Sequence, residues 1–340
     1  MLGKSIKTLI VAVLAFATIS VLPVPANAAT QPTAFYVATM GSGLGIYKAT
    51  MNPGNTGVAQ AVTSDTDTAH TYRSLASDAT HLYFADNFDG TNWDLVRTDF
   101  AGQNRSVIAA DIAAPEYIQV FGVSVYYTTW NGGLYWVPAG GGTPSEILGQ
   151  TNTAGLGNAI PSNGFGPFSF SNGKLYIDIY TVGLVEADWS FNNPYNAHYI
   201  HPNGYDALSV TDLVTVDGTI YVGSWNGVGY YSTTNLATDV STWTHVNTEV
   251  PTQHSGLVYR LSISGNYTLY STSQGDLFTH AAGNTGNTVP TPANSQSFDV
   301  TIVEMPVAES LANTGSDLNL LWISLGLLAV GGALTLRRKN

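Results

Sequence analysis

The chain has 340 residues, a formal net charge of −12 and no cysteine. The missing thiols exclude disulfides, thiolate metal sites and cysteine nucleophiles together, and 11 basic against 23 acidic side chains exclude the clustered Lys and Arg that nucleic acid or anionic lipid requires. Gly, Asn, Thr and Tyr are abundant while Lys and Glu are few, which favours strands and tight turns over helices.

The N-terminus reads as an export signal over residues 1–28. Lys4 and Lys7 precede an apolar run from Leu9 to Leu22, Pro23 and Pro25 break it, and Ala26-Asn27-Ala28 has the small-x-small pattern cut by signal peptidase. Cleavage is expected between Ala28 and Ala29. The run is short for a retained membrane span.

Residues 29–304 form the expected ectodomain. Up to Thr314 the mature chain carries six basic and 22 acidic side chains, a net charge of −16, which suits a soluble, self-repelling surface. A short apolar strand with tyrosine recurs, starting at Phe35, Leu82, Val125, Leu175, Ile220 and Leu269, so the starts lie 47, 43, 50, 45 and 49 residues apart. Further strands follow, such as Leu95-Val96-Arg97-Thr98 and Leu134-Tyr135-Trp136-Val137, with a weaker outer one at Ser106 to Ala110. Tight Gly turns precede several markers, as in Ser171-Asn172-Gly173 and Val216-Asp217-Gly218. Four antiparallel strands repeated about six times predict an all-β, six-bladed β-propeller. The first unit lacks an inner strand, and the apolar run Phe298 to Val303 is left over at the end. Pairing them closes the ring and removes both sheet edges.

Leu82-Tyr83-Phe84-Ala85-Asp86, followed by Leu95 to Gly102, resembles the YWTD repeat of the low-density-lipoprotein-receptor type, and the segment from Val125 is similar to bacterial relatives of it. The resemblance implies six blades and leaves the ligand open, because propellers host many functions. Sialidases resemble this architecture too, but they need an arginine triad and Asp-box turns. The mature chain has four arginines, and its nearest turn, around Tyr231 to Trp243, is a degenerate match.

Candidate ligand-binding residues fall in two sets. Trp130-Asn131-Gly132 and Trp225-Asn226-Gly227 place two tryptophans at equivalent hairpin tips, where each can stack on a sugar or cover its own blade. Arg73 and Arg260 lie nine residues before their markers, after Tyr72 and Tyr259, and Glu116 lies nine before Val125; such a ring at the channel mouth suits an anionic or sugar ligand or forms an ion pair. The segment from Asp86 to Asp94 departs from the calcium-loop spacing and reads more simply as a hairpin. His198, His201 and Asp206 sit in a loop rather than in a metal-ligand pattern. No cofactor is implied. The leading function is binding of a glycan or protein; the alternative is a propeller hydrolase or lyase acting on a wall or environmental polysaccharide, with His70, Arg73, Glu116, Arg260 and His254 near its channel.

At the C-terminus, residues 305–310 are a short linker to Leu311-Ala312-Asn313-Thr314-Gly315. An apolar stretch follows over residues 318–336, rising roughly 28 Å as a helix, enough to cross a membrane, and then a basic tail at 337–340. This order resembles the sortase substrates of Gram-positive bacteria, whose pentapeptide is L-P-x-T-G; Ala312 stands in the proline place, as in the L-A-x-T-G form of some actinobacterial sortases. The resemblance implies that a sortase cysteine attacks the Thr314 carbonyl, releases Gly315 onward and passes Thr314 to a peptidoglycan amine. The expected location is the outer face of the cell membrane or the cell wall. Seven residues between Val303 and Leu311 reach at most roughly 25 Å, which seats the domain close to the membrane.

Overall fold

The computed structural model describes residues 30–40, 44–51, 59–63, 70–88, 90–149, 153–156, 164–180, 183–190, 193–202, 209–224, 229–238, 240–246, 257–273, 275–281, 287–292 and 295–306. The expected export signal, the sorting pentapeptide and the apolar stretch after it lie outside these residues, as do Trp225 and His254. Among the described residues no helix is long and apolar enough to cross a membrane.

Each repeat folds as a four-stranded antiparallel sheet. The first blade holds β1 (Thr30–Met40), β2 (Gly45–Thr50) and β3 (Gln60–Thr63). Blade two follows with β4 (Thr71–Ser77), β5 (His81–Asn87), β6 (Trp93–Asp99) and β7 (Ser106–Ile112). Blade three is β8 (Pro115–Phe121), β9 (Ser124–Thr129), β10 (Gly133–Pro138) and β11 (Ser145–Gly149), and blade four is β12 (Phe165–Ser171), β13 (Lys174–Ile179), β14 (Gly183–Ser190) and β15 (Asn193–Pro202). Blade five comprises β16 (Val210–Val216), β17 (Thr219–Ser224), β18 (Tyr230–Thr233) and β19 (Thr244–Val246). Blade six comprises β20 (Val258–Ser264), β21 (Tyr267–Thr272), β22 (Leu277–Ala281) and β23 (Asn287–Thr288). The last strand, β24 (Gln296–Pro306), returns to blade one and pairs with β1 as its inner strand. The left-over apolar run thus closes the ring, and the fold is a six-bladed β-propeller.

The second strand of each blade shows why. β5, β9 and β13 are buried along almost their whole length, because each blade packs both faces against neighbours. Six apolar clusters fill the six seams. Leu82 and Phe84 meet Phe35 and Val37 between blades one and two, while Leu269 and Leu277 meet Tyr36 and Tyr47 between blades six and one. Each fully buried aromatic or aliphatic side chain contributes about 1.5–3 kcal/mol, so the seams are the principal source of stability.

The inner strands run from a face carrying the blade-to-blade connections and the second-to-third hairpins, here the loop face, to an opposite hairpin face. At the hairpin face Asn172-Gly173 and Asp217-Gly218 take positive φ at both residues, the turn that matches strand twist.

The pairing corrects the sequence alignment in blade six. Ser264 faces Tyr267 across its turn as Val216 faces Thr219 in blade five, so Thr268, not Leu269, is the counterpart of Ile220. Leu269 takes the place of Tyr221 and packs into the next seam.

Candidate functional site

Five inner strands share an irregularity. Pairing with the second strand shifts between Arg73 and Leu75, Pro115 and Tyr117, Phe165 and Phe168, Val210 and Asp212, and Val258 and Arg260. A bulge swings the following side chain out of the regular alternation. Repeated around the ring, it aims Tyr117, Asp212 and Arg260 into the channel at one level. Arg73 lies before its bulge, so Arg73, Glu116 and Arg260 are not equivalent positions, as counting back from the markers had implied.

Arg260 forms the centre of a neck to which all six blades contribute. Its Nε donates to Asp299 Oδ1 of β24 at 2.7 Å, and Nη1 donates to Tyr117 Oη at 2.9 Å and to the Thr211 carbonyl at 3.3 Å. Nη2 donates to the Glu116 carbonyl at 3.3 Å. The guanidinium lies between the rings of Tyr117 and Tyr259, 4.0 and 4.4 Å from their centroids. Ser74 N–H of blade two donates to Asp299 Oδ2 at 2.8 Å, and Tyr180 of blade four reaches Tyr117 with its hydroxyl at 3.3 Å. Arg260 is 6% exposed and all three of its nitrogens serve protein acceptors. It closes the channel rather than lining its mouth.

Two carboxyls beside the neck sit in apolar surroundings. Asp212 accepts the N–H groups of Leu213 and Leu261 at 2.9 and 2.7 Å, yet burial pushes it up to about 7. Asp178 on β13 is also pushed up to about 7 by burial, and its Oδ2 has no hydrogen-bond partner. Gly166 makes its room: a Cβ there would lie 3.0 Å from that oxygen. The sequence reading missed Asp178, Asp212, Asp299, Tyr117 and Tyr180. The available signal was an acidic residue inside an apolar strand, as in Tyr176-Ile177-Asp178-Ile179 and Asp299-Val300-Thr301-Ile302.

The loop face above the neck gathers part of the expected set. Arg73 Nη2 donates to Glu116 Oε2 at 3.0 Å across blades two and three, and Arg73 also lies 5.5 Å from the Trp93 ring centroid. Burial raises the Glu116 carboxyl above its ordinary range against the pull of Arg73 and Arg260. Tyr72 is buried against Phe84 in the seam, so it is core rather than rim. Trp130 is 50% exposed and leans on Tyr180, ring centroids 5.1 Å apart. Tyr180 occupies the tip of blade four equivalent to Trp130's in blade three, and burial pushes its phenol up to about 12. Phe88, 59% exposed, occupies the corresponding tip of blade two. Phe88, Trp130 and Tyr180 thus set an aromatic ring at the tips of blades two, three and four.

Of the residues named for a lyase, Arg73, Glu116 and Arg260 come together through Glu116, and His254 lies outside the described residues. His70 Nδ1 lies 3.0 Å from Asp86 Oδ1, and its ring is stacked 5.8 Å from Tyr72 and tilted 4.7 Å from Phe88. Asp86, the aspartate of the YWTD-like repeat, also binds Arg105 and is buried, so it ties the blade-to-blade connection to the sheet. Asp86 is thus occupied, and Gly90 N–H bonds Asn87 Oδ1 in the hairpin that follows. His198 Nδ1 lies 3.1 Å from the Asn196 carbonyl, while Asp206 and the side chain of His201 are outside the described residues. No group of three or more potential metal ligands occurs among the described residues.

No protein-family model matches the chain, and no curated protein matches it in sequence. Solved structures do. A chain in the nidogen/laminin complex superposes with a TM-score of 0.60 at 13% identity, over 80% of this chain and 98% of that one. TolB from Acinetobacter baumannii superposes with a TM-score of 0.54 at 13% identity, over 84% of this chain and 70% of that one. The likeness shows the fold alone.

Proposed function

We propose that this protein is a binding module, exported, joined to peptidoglycan through Thr314 by a sortase, and presenting its loop face to a glycan. The observation that carries the binding reading is Trp130, half exposed and propped on Tyr180 at a hairpin tip. A ring held this way offers a flat apolar face to a sugar without an entropic cost of ordering it. Arg73 and Glu116, paired behind it, offer hydrogen bonds to hydroxyls. A protein ligand is the second reading, favoured by Phe88, a large exposed apolar side chain in the same row; the matched nidogen/laminin structure is itself a protein–protein complex.

A glycan array probed with the full-length chain tests this. Wild type is expected to bind a restricted set of glycans, and Trp130→Ala to lose roughly tenfold or more in affinity while keeping its melting temperature. Undiminished array binding by Trp130→Ala sinks the aromatic-tip reading; an empty array with a specific protein captured by pull-down moves the ligand to the second class. For the anchor, Thr314→Ala is expected to shift the protein from the wall fraction to the membrane fraction.

A further inference from the structure

Below the neck, on the hairpin face, the channel opens into a cavity of ≈ 300 Å³. It is separate from the aromatic rim, because the Arg260 layer lies between them, and its volume is at the lower end of those that hold small molecules. Its walls have two kinds of surface. Phe121 and Phe170 stack at the mouth, ring centroids 4.9 Å apart and planes 25° apart, with Phe121 48% exposed. Deeper, hydroxyls from adjacent blades pair across the seams: Ser77 with Thr301 at 2.9 Å and Ser169 with Thr215 at 2.8 Å. Each pair shares one hydrogen, so each keeps a second O–H and lone pairs.

The floor is charged but internally matched. Arg260 is bound by Asp299, and Asp212 accepts two backbone N–H groups while burial favours its neutral form. An ion entering here would find no unpaired counter-charge and would lose its hydration. A neutral molecule with one apolar face and several hydroxyls finds both surfaces it needs. We infer that the hairpin-face cavity is a second binding site, for a single neutral monosaccharide unit, stacked on Phe121 and hydrogen-bonded by the Ser77–Thr301 and Ser169–Thr215 pairs.

Saturation-transfer NMR on the full-length chain, solubilised in a detergent without a sugar headgroup, tests this with glucose, N-acetylglucosamine and glucuronate as probes. At least one neutral sugar is expected to show transfer, with glucuronate much weaker. Thr215→Val is expected to weaken that sugar about tenfold through the lost donor. Phe121→Ala, at a half-exposed position, is expected to weaken it severalfold while leaving thermal unfolding within a degree or two. No transfer to either neutral sugar overturns the proposal. So does equal binding of glucuronate, or transfer that neither Thr215→Val nor Phe121→Ala reduces. Because the cavity lies on the opposite face, these outcomes are independent of the array result for Trp130→Ala.

Discussion

The two ends of the channel are built from the same six inner strands and yet differ in kind. Towards the loop face, charge and aromatic surface lie open: Arg73 and Glu116 are partly exposed partners, and Trp130 is half in solvent. At the neck a few residues later, Arg260 and Asp299 have side chains 7% and 9% exposed. The bulge separates these regimes by turning Tyr117, Asp212 and Arg260 inward. What the contrast teaches is that an arginine's neighbours along the strand say little about its duty; depth decides whether it is a contact for ligands or a fastening.

The largest effect that would break this comparison lies at the fastening. Arg260→Met leaves Asp299 buried without its partner and is expected to cost about 3–5 kcal/mol in urea denaturation, because an uncompensated buried charge is expensive. A loss below about 1 kcal/mol would place Arg260 with the rim residues. Next is Asp86→Asn, which weakens the link to His70 and Arg105 and should cost roughly 2–3 kcal/mol by the same measurement.

Asp178→Asn sharpens the contrast through pH. The folded carboxyl is raised to about 7 from its free value of 3.8. Between roughly pH 4 and 7 the folded chain holds a proton that the unfolded chain has released, so stability falls as pH rises through that window. Asn removes this group's share. The variant is expected to be more stable than wild type at pH 8 by roughly 1–2 kcal/mol, with a shallower decline from pH 5 to 8. Asp212, also raised to about 7, keeps part of the slope. The smallest effect is at the rim: Arg73→Met should cost under about 1 kcal/mol, since its partner Glu116 is reached by solvent.

Much of the scaffold was legible because it is periodic. The tyrosine-bearing second strand recurs at every blade, and the apolar run ending at Val303 had no partner other than the missing inner strand of blade one. The Asn-Gly and Asp-Gly turns announced themselves by chemistry. The neck was only partly legible, because Ser74, Tyr117, Tyr180, Thr211, Arg260 and Asp299 come from six blades and are spread over 225 residues between Ser74 and Asp299. The Arg73–Glu116 pair was found by counting, but counting failed for Arg260, because blade six places its marker one step further from the turn. A pattern at fixed spacing cannot register such a step. Asp178 was hidden for another reason, since an oxygen without a hydrogen-bond partner has no partner in the sequence to betray it.

The closing strand has one more consequence. β24 passes the neck at Asp299, meets Ser77 through Thr301, and ends beside the blade-six turn, where Ser264 Oγ donates to Glu304 Oε1 at 3.2 Å. The chain therefore leaves the propeller on the hairpin face, and only residues 307–310 separate Pro306 from Leu311. The aromatic tips and the point where the chain leaves the sheet therefore lie at opposite ends of the same channel.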